Sequence, residues 1–343
     1  MTERIIESPS DWKAFLEERS PSQIVVLTDE NTSLACLTVF QAQYLLPKDF
    51  HHVSVDAGEK SKTLDTVHSI YQIFMDLAID RSALLINLGG GMITDLGGFV
   101  GATYKRGISM VNVPTTHLGM VDAALGGKNG VNFKGVKNQI GAFYPVQAVV
   151  LHPQFLDTLD ERELMSGWIE TVKHAVIADS SLWDSLCKVA PLSLAKDINT
   201  IRRSAEIKSR IASEDTADRG IRQALNFGHT VGHAIESQAS LLHGEAVAIG
   251  MVAEIYLSQK VAGLDEDTGA QIIAYIKNLG LPIGGYSLAV DAVLDNMRHD
   301  KKNTGGELRF ALISHLGRAK VGIGIHPNLV KESLDFAQHQ LST

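Results

Sequence analysis

Ala83-Leu-Leu-Ile-Asn-Leu-Gly-Gly-Gly-Met-Ile-Thr-Asp-Leu-Gly-Gly98 joins a short apolar run directly to a triple glycine. The run is too short for a helix and carries no polar face, so it reads as a strand buried on both sides. The glycines then turn the chain sharply, and a strand feeding such a turn opens a strand–helix–strand unit. Upstream, Ile24-Val-Val-Leu-Thr28 reads as another buried strand, ending at the turn or helix start Asp29-Glu-Asn-Thr32. His52-Val-Ser-Val-Asp56 reads as a further strand, and 63–79 repeats apolar residues at 67, 70, 74 and 77, an amphipathic helix. Downstream, Met110-Val-Asn-Val-Pro114 supplies one more strand. This alternation predicts an α/β domain over 1–155 with a parallel sheet and helices on both faces.

After that the pattern changes. Segments 161–178, 195–213, 221–239, 244–262 and 266–279 carry helical spacing, and only Glu307-Leu-Arg-Phe-Ala-Leu-Ile313 reads as an arm of a short hairpin. Residues 156–343 are therefore expected to form a mostly α-helical domain, with the active site in the cleft between the two.

The 343 residues are 45% apolar and 20% charged, enough to bury ordinary cores. The net charge of −8 and the lack of a basic stripe argue against nucleic acid as a partner. No run approaches the ~18 apolar residues that cross a bilayer, and the first residues do not read as a signal peptide. Cys36 and Cys187 lie in no paired pattern, which fits a reducing cytoplasm. On this acidic background Arg106, Lys128, Lys137, Lys173, Lys208 and Arg222 sit inside glycine-rich or apolar segments, as expected where a small anion is held.

The chemistry concentrates in Leu225-Asn-Phe-Gly-His-Thr-Val-Gly-His-Ala-Ile-Glu236, followed by His243-Gly-Glu245. His229 and His233 are four apart, so they share a helix face, and His243 lies close downstream. Three imidazoles in a glycine-rich run point to a metal centre completed by an acid from elsewhere. Gly89-Gly90-Gly91 is a candidate phosphate-cradling turn, although it lacks GxGxxG spacing and equally fits a corner needing positive φ. Asp29 and Asn31 could take ribose hydroxyls or could cap a helix. Val121–Gly141 reads as a long glycine-rich loop in which Lys128 and Lys137 offer point charges to an anion. Glu170 and Lys173, three apart, fit a surface pair. Lys208 falls on the apolar stripe Ile201, Ala205, Ala212, where it needs a partner or a ligand.

Taken together, GGGMITDLGGF, YKRG, VPTTHLGMVDAALGGKNGVN, KNQIGAFYP, GWIETVK, LNFGHTVGHAIE, LLHGEAVAIGM and DKKNTGGELRF resemble the 3-dehydroquinate synthases, within the sugar-phosphate cyclases, almost end to end. The resemblance implies a Rossmann-like sheet in the first domain and a homodimeric lyase of the shikimate pathway that uses NAD and Zn2+ or Co2+. Such an enzyme turns 3-deoxy-D-arabino-heptulosonate 7-phosphate into 3-dehydroquinate and phosphate by transient oxidation, phosphate elimination, reduction and aldol closure. By motif it implies Glu170, His229 and His243 as metal ligands, and it moves His233 from the metal to the substrate. Asp122, Lys128, Asn138, Lys137, Lys173, Lys208, Arg222, Asn226 and the Asp300-Lys301-Lys302 segment would meet the substrate, with Arg106 reaching over as part of the phosphate site. Asp29, Asn31, Glu59, Lys62, Gly90, Gly91, Asp95, Thr115, Thr116, Thr158 and Leu159, with Lys128 and Lys137, would meet NAD. The chain departs from the usual pattern at His117, Asn129 and Asp218. The competing readings are a sister cyclase, of the amino-dehydroquinate, valiolone or inosose type, and a metal-dependent polyol dehydrogenase.

Overall fold

The computed structural model describes residues 3–236, 241–284, 290–298 and 308–342. The chain divides into two compact units by contact rather than by sequence order: 1–159 with 196–213, and 160–195 with 214–343.

In the first unit, β1 (Arg4–Ile6), β2 (Ile24–Asp29), β3 (His51–Val55), β4 (Leu84–Gly89), β5 (Ser109–Pro114) and β8 (Ala148–Val150) form one parallel sheet in the order β1-β8-β5-β4-β2-β3. Every residue of β4 is buried, as an apolar run between two neighbouring strands must be. From the β2/β4 pair the chain order runs outward in opposite directions, to β3 on one side and to β5 and β8 on the other. Such a reversal leaves a crevice at the carboxyl ends of the strands, the usual ligand position in open α/β sheets.

Val121–Gly141 is not the long loop that its glycines predict. It begins inside a π-helical turn, Gly119–Ala123, and continues through an antiparallel pair, β6 (Lys128–Phe133) with β7 (Val136–Phe143). Glycine and asparagine have low intrinsic strand preference, but backbone pairing across the hairpin overrides it.

The Ile198–Glu214 helix returns to this unit because its polar contacts lie there. Lys208 Nζ is 2.6 Å from Asp122 Oδ1, Arg202 Nη1 donates to Glu7 at 3.1 Å, and Ser209 Oγ donates to Glu3 at 3.3 Å. Ile201, Ala205, Lys208 and Ala212 are all buried, as their spacing requires.

The second unit is built from helices, chiefly Glu161–Ala178, His229–Glu236, His243–Leu257, Glu266–Lys277 and Pro327–Ser342. One antiparallel pair, β9 (Leu308–His315) with β10 (Arg318–Ile325), completes it. The Glu161–Ala178 and His243–Leu257 helices are buried nearly all round, which makes them the core of this unit. Among the described residues no helix is long and apolar enough to cross a membrane.

Candidate active site

In the second unit, Glu170 and Lys173 lie on the buried Glu161–Ala178 helix at 0% and 1% exposure, so they are not the surface pair that their spacing alone suggests. Lys173 Nζ contacts Glu170 Oε2 directly. Glu170 Oε1 faces His229 Nε2 at 3.5 Å and His243 Nε2 at 3.4 Å. One ligand atom from each of Glu170, His229 and His243 lies within 4.8 Å of the other two.

The donor set fits a divalent cation. His229 Nδ1 sits 3.2 Å from the Phe227 carbonyl, which can only accept, so this nitrogen carries the proton and Nε2 presents a lone pair towards Glu170. Burial first, then the Lys173 charge, holds the His229 pKa well below its ordinary value. A neutral imidazole lone pair facing a carboxylate oxygen needs a cation to join them, and two histidines with one carboxylate are a known catalytic zinc set.

His243 behaves oppositely beside the same carboxylate. Burial opposes its charge, but hydrogen bonds with Glu170 and Glu236 outweigh burial and raise its pKa to about 9. Its Nδ1 is 3.3 Å from Glu236 Oε2, the carboxylate–histidine arrangement that orients metal-binding imidazoles. His233 is exposed, its ring centroid 5.2 Å from that of His229 and 6.0 Å from that of His243. Its Nδ1 or Nε2 also falls within 4.8 Å of ligand atoms of Glu236 and His243, a second grouping that shares His243. Arg222, buried, and Asn226, half-buried, stand on the 3-10 turn Ile221–Asn226 that leads into the His229 helix. Asp215 anchors that turn by accepting from the backbone N–H groups of Arg219, Gly220 and Arg222.

In the first unit, Gly90 and Gly91 follow β4, with Gly90 at the N-cap of the Gly91–Thr103 helix. None of Gly89, Gly90 and Gly91 has positive φ, so the corner needs room rather than a left-handed backbone. A Cβ on Gly89 would come within 2.6 Å of Ile93 Cβ. With no side chain at the cap, the first N–H groups of that helix remain suited to an anion. Thr115 and Thr116 follow β5; Thr115 donates its N–H to Gly89 O at 3.1 Å, and Thr116 Oγ1 accepts from Gly119 N at 3.0 Å.

Asp29, at the end of β2, caps the next helix in a reciprocal pair with Thr32, while Asn31 is exposed. Lys62 is buried against Asp95 at 2.5 Å and lies 3.8 Å from Glu59. Burial raises the Asp95 pKa to about 6 against the pull of Lys62. Lys128 opens β6, and Lys137 and Asn138 stand on β7, all three exposed. Asn138, at φ 52°, donates its N–H to Asn132 Oδ1. Arg106 is exposed at φ 66°. Thr158 and Leu159 end the turn after β8. Asp300, Lys301 and Lys302 lie outside the described residues.

Family models described as the N-terminal and C-terminal parts of 3-dehydroquinate synthase match residues 52–166 and 167–303. A 3-dehydroquinate synthase of Parabacteroides distasonis is 38% identical over 334 residues, 95% of this chain and 94% of the relative. The chain belongs to the 3-dehydroquinate synthase family. Among solved structures similar to this family member, a 2-epi-5-epi-valiolone synthase from Streptomyces hygroscopicus, determined with NAD+ and Zn2+, superposes with TM-score 0.87 at 25% identity, covering 99% of this chain and 97% of that one. A 2-deoxy-scyllo-inosose synthase, complexed with carbaglucose-6-phosphate, NAD+ and Co2+, gives TM-score 0.83 at 23% identity over 96% and 95% of the two chains. The second likeness speaks to the fold alone.

Three acids in the 3-dehydroquinate synthase fold received no role from sequence reasoning: Glu236, Glu245 and Glu254. Glu245 is fully buried, accepts from Leu242 N at 2.8 Å and holds Arg162 through two bonds of 2.6 and 2.8 Å. It thus fixes the start of the helix that His243 begins. It stands at the third helical position and reaches back to the N-cap amide, half of a capping box, but Leu242 cannot supply the other half, so the usual sequence signature is missing.

Proposed function

We propose that this chain catalyses the family's reaction, the conversion of 3-deoxy-D-arabino-heptulosonate 7-phosphate to 3-dehydroquinate and phosphate. The observation that carries the reading is the convergence of the buried Glu170 and His229 with the half-buried His243, beside Lys173, in a member of this family. Bound NAD supplies reversible hydride transfer and a bound Zn2+ or Co2+ supplies Lewis acidity towards the substrate hydroxyl and ketone.

The chain's own residues bind and orient the substrate. Lys173, Arg222, Asn226 and His233 surround the metal ligands in sequence and serve the substrate's polar groups. Asp122 holds the Lys208 ammonium at 2.6 Å, so the lysine charge is pre-positioned for an anionic group. Lys128, Lys137, Asn138 and Arg106 supply further anion contacts. Gly90, Gly91, Thr115, Thr116, Asp29, Asn31, Glu59, Lys62, Asp95, Thr158 and Leu159 serve NAD, many of them at the carboxyl ends of the parallel strands. A cytoplasmic homodimer belongs to the same reading, and light scattering in solution checks the assembly.

The deciding experiment offers the heptulosonate phosphate with NAD+ and zinc, measures phosphate release and identifies the ring product. Phosphate and dehydroquinate in equal amounts, with no NADH accumulating, support the proposal. Accumulating NADH would make the chain a dehydrogenase, and turnover only of other sugar phosphates would make it a sister cyclase.

A further inference from the structure

We propose that Glu254 is a positioning residue for His229, acting as the N-cap of the His229–Glu236 helix from the neighbouring helix. The inference rests on the reading that His229 binds the metal.

Glu254 is fully buried on the His243–Leu257 helix. Its Oε2 accepts the Gly228 N–H at 2.7 Å, and the nearby N–H groups of Thr230 and Val231 favour its charged form. These belong to the first turn, whose amides have no partner inside their own helix. Gly228 occupies the N-cap position, since its carbonyl accepts the first helical bond, from Gly232 N at 3.0 Å.

Ordinarily a serine, threonine, aspartate or asparagine at that position would cap the helix. None can stand there. Gly228 has φ 80°, and a Cβ on it would meet Met251 Cγ at 2.6 Å and the Val247 carbonyl at 2.9 Å. The two helices approach too closely for a local cap, so the acceptor has to come from the facing helix. Glu254 supplies it.

Stability alone is a poor reason to keep this acid. Its Oε1 is buried with no hydrogen-bond partner among the described residues, and burial raises its pKa to about 8. A leucine would pack there without that penalty. What an apolar residue cannot do is hold the backbone at 227–229, where the Phe227 carbonyl sets the His229 ring and its tautomer. Glu254 thus acts on the metal through the backbone, one helix removed from the ligand.

The test titrates metal-free wild type, Glu254→Gln, Glu254→Leu and His229→Ala with zinc against a competing chelator, and records the unfolding temperature of each. Glu254→Gln keeps an acceptor and should retain most of the affinity. Glu254→Leu should weaken zinc binding by about 10–100-fold, the usual effect of losing a residue that supports a metal ligand. Excess zinc should then restore its kcat, with KM for the heptulosonate phosphate unchanged. If Glu254→Leu does not fold, Glu254→Asp, which withdraws the acceptor by one methylene, takes its place. Zinc affinity equal to wild type in the folded variant overturns the positioning role. Equal affinity in His229→Ala would instead remove His229 as a ligand, and with it the basis of the inference.

Discussion

Gly244→Ala offers a direct test of how tightly the proposed metal ligands are held. Gly244 follows His243 and packs against Ser166 on the helix that carries Glu170. A Cβ at 244 would lie 1.8 Å from the Ser166 carbonyl oxygen, 2.6 Å from its carbon and 2.9 Å from Cα. All three are backbone atoms, so no rotamer change relieves the clash, and the helices must separate by more than about 1 Å to reach tolerable contact. The separation would also stretch the 3.0 Å hydrogen bond from Gly244 N to Ser166 Oγ. Helix propensity alone favours alanine by about 1 kcal/mol. Overpacking costs about 1–3 kcal/mol and the strained hydrogen bond about 1 kcal/mol more, so the net effect is destabilising by about 1–3 kcal/mol. For a unit of this size that lowers the unfolding temperature by about 2–12 °C. Metal affinity should suffer further, because ligand distances tolerate only about 0.2 Å and His243 is the adjacent residue. Differential scanning calorimetry and zinc competition on the same variant measure both effects. An unfolding temperature at or above wild type, with unchanged zinc affinity, would refute the close-packing argument.

His243→Ala should abolish zinc binding and turnover while the circular dichroism spectrum persists; full activity in metal-free buffer would remove His243 from the ligand set. Lys128→Ala should raise KM or lower kcat for the sugar phosphate while the unfolding temperature stays close to wild type, because its side chain is exposed on β6; unchanged KM and kcat would remove Lys128 from the pocket. Glu254→Gln should alter the pH dependence of stability. The folded carboxyl titrates at about 8 against an ordinary 4.5, so between those values the folded state holds a proton that the unfolded state has lost. That stability is present in full below pH 4.5 and is lost as pH rises through 8. The wild-type unfolding temperature should therefore fall from pH 5 to pH 8 more steeply than that of the variant, and parallel curves would contradict the assignment.

The parts of this molecule that were legible in its sequence are those whose physics is local. β2, β4 and β5 show as apolar runs, and the Glu161–Ala178 helix shows by its spacing, because burial on a known period leaves its mark residue by residue. β1 and β8 left no such mark: each is three residues long and exists because a neighbouring strand offers a ladder. Amphipathicity in 195–213 disclosed a buried stripe without disclosing that its partners would be Asp122, Glu3 and Glu7 of the first unit.

The site divides in the same way. Helical spacing drew attention to His229 and His233, but a shared face does not decide which atoms converge, and the atoms that meet Glu170 are those of His229 and His243. Glu236 and Glu254 were illegible for a different reason. Glu236 matters through His243 Nδ1, and Glu254 through the amides of a turn that another helix has crowded down to glycine. Their type and spacing carry no sign of this, since an acid in a helix reads alike whether it faces water or a neighbour's backbone. A glycine that opens a helix where a capping side chain would normally stand is the more useful signal. It implies that the cap comes from elsewhere, and an acid that ends an apolar run of the facing helix, as Glu254 ends Ala246–Ala253, is then where to look for it.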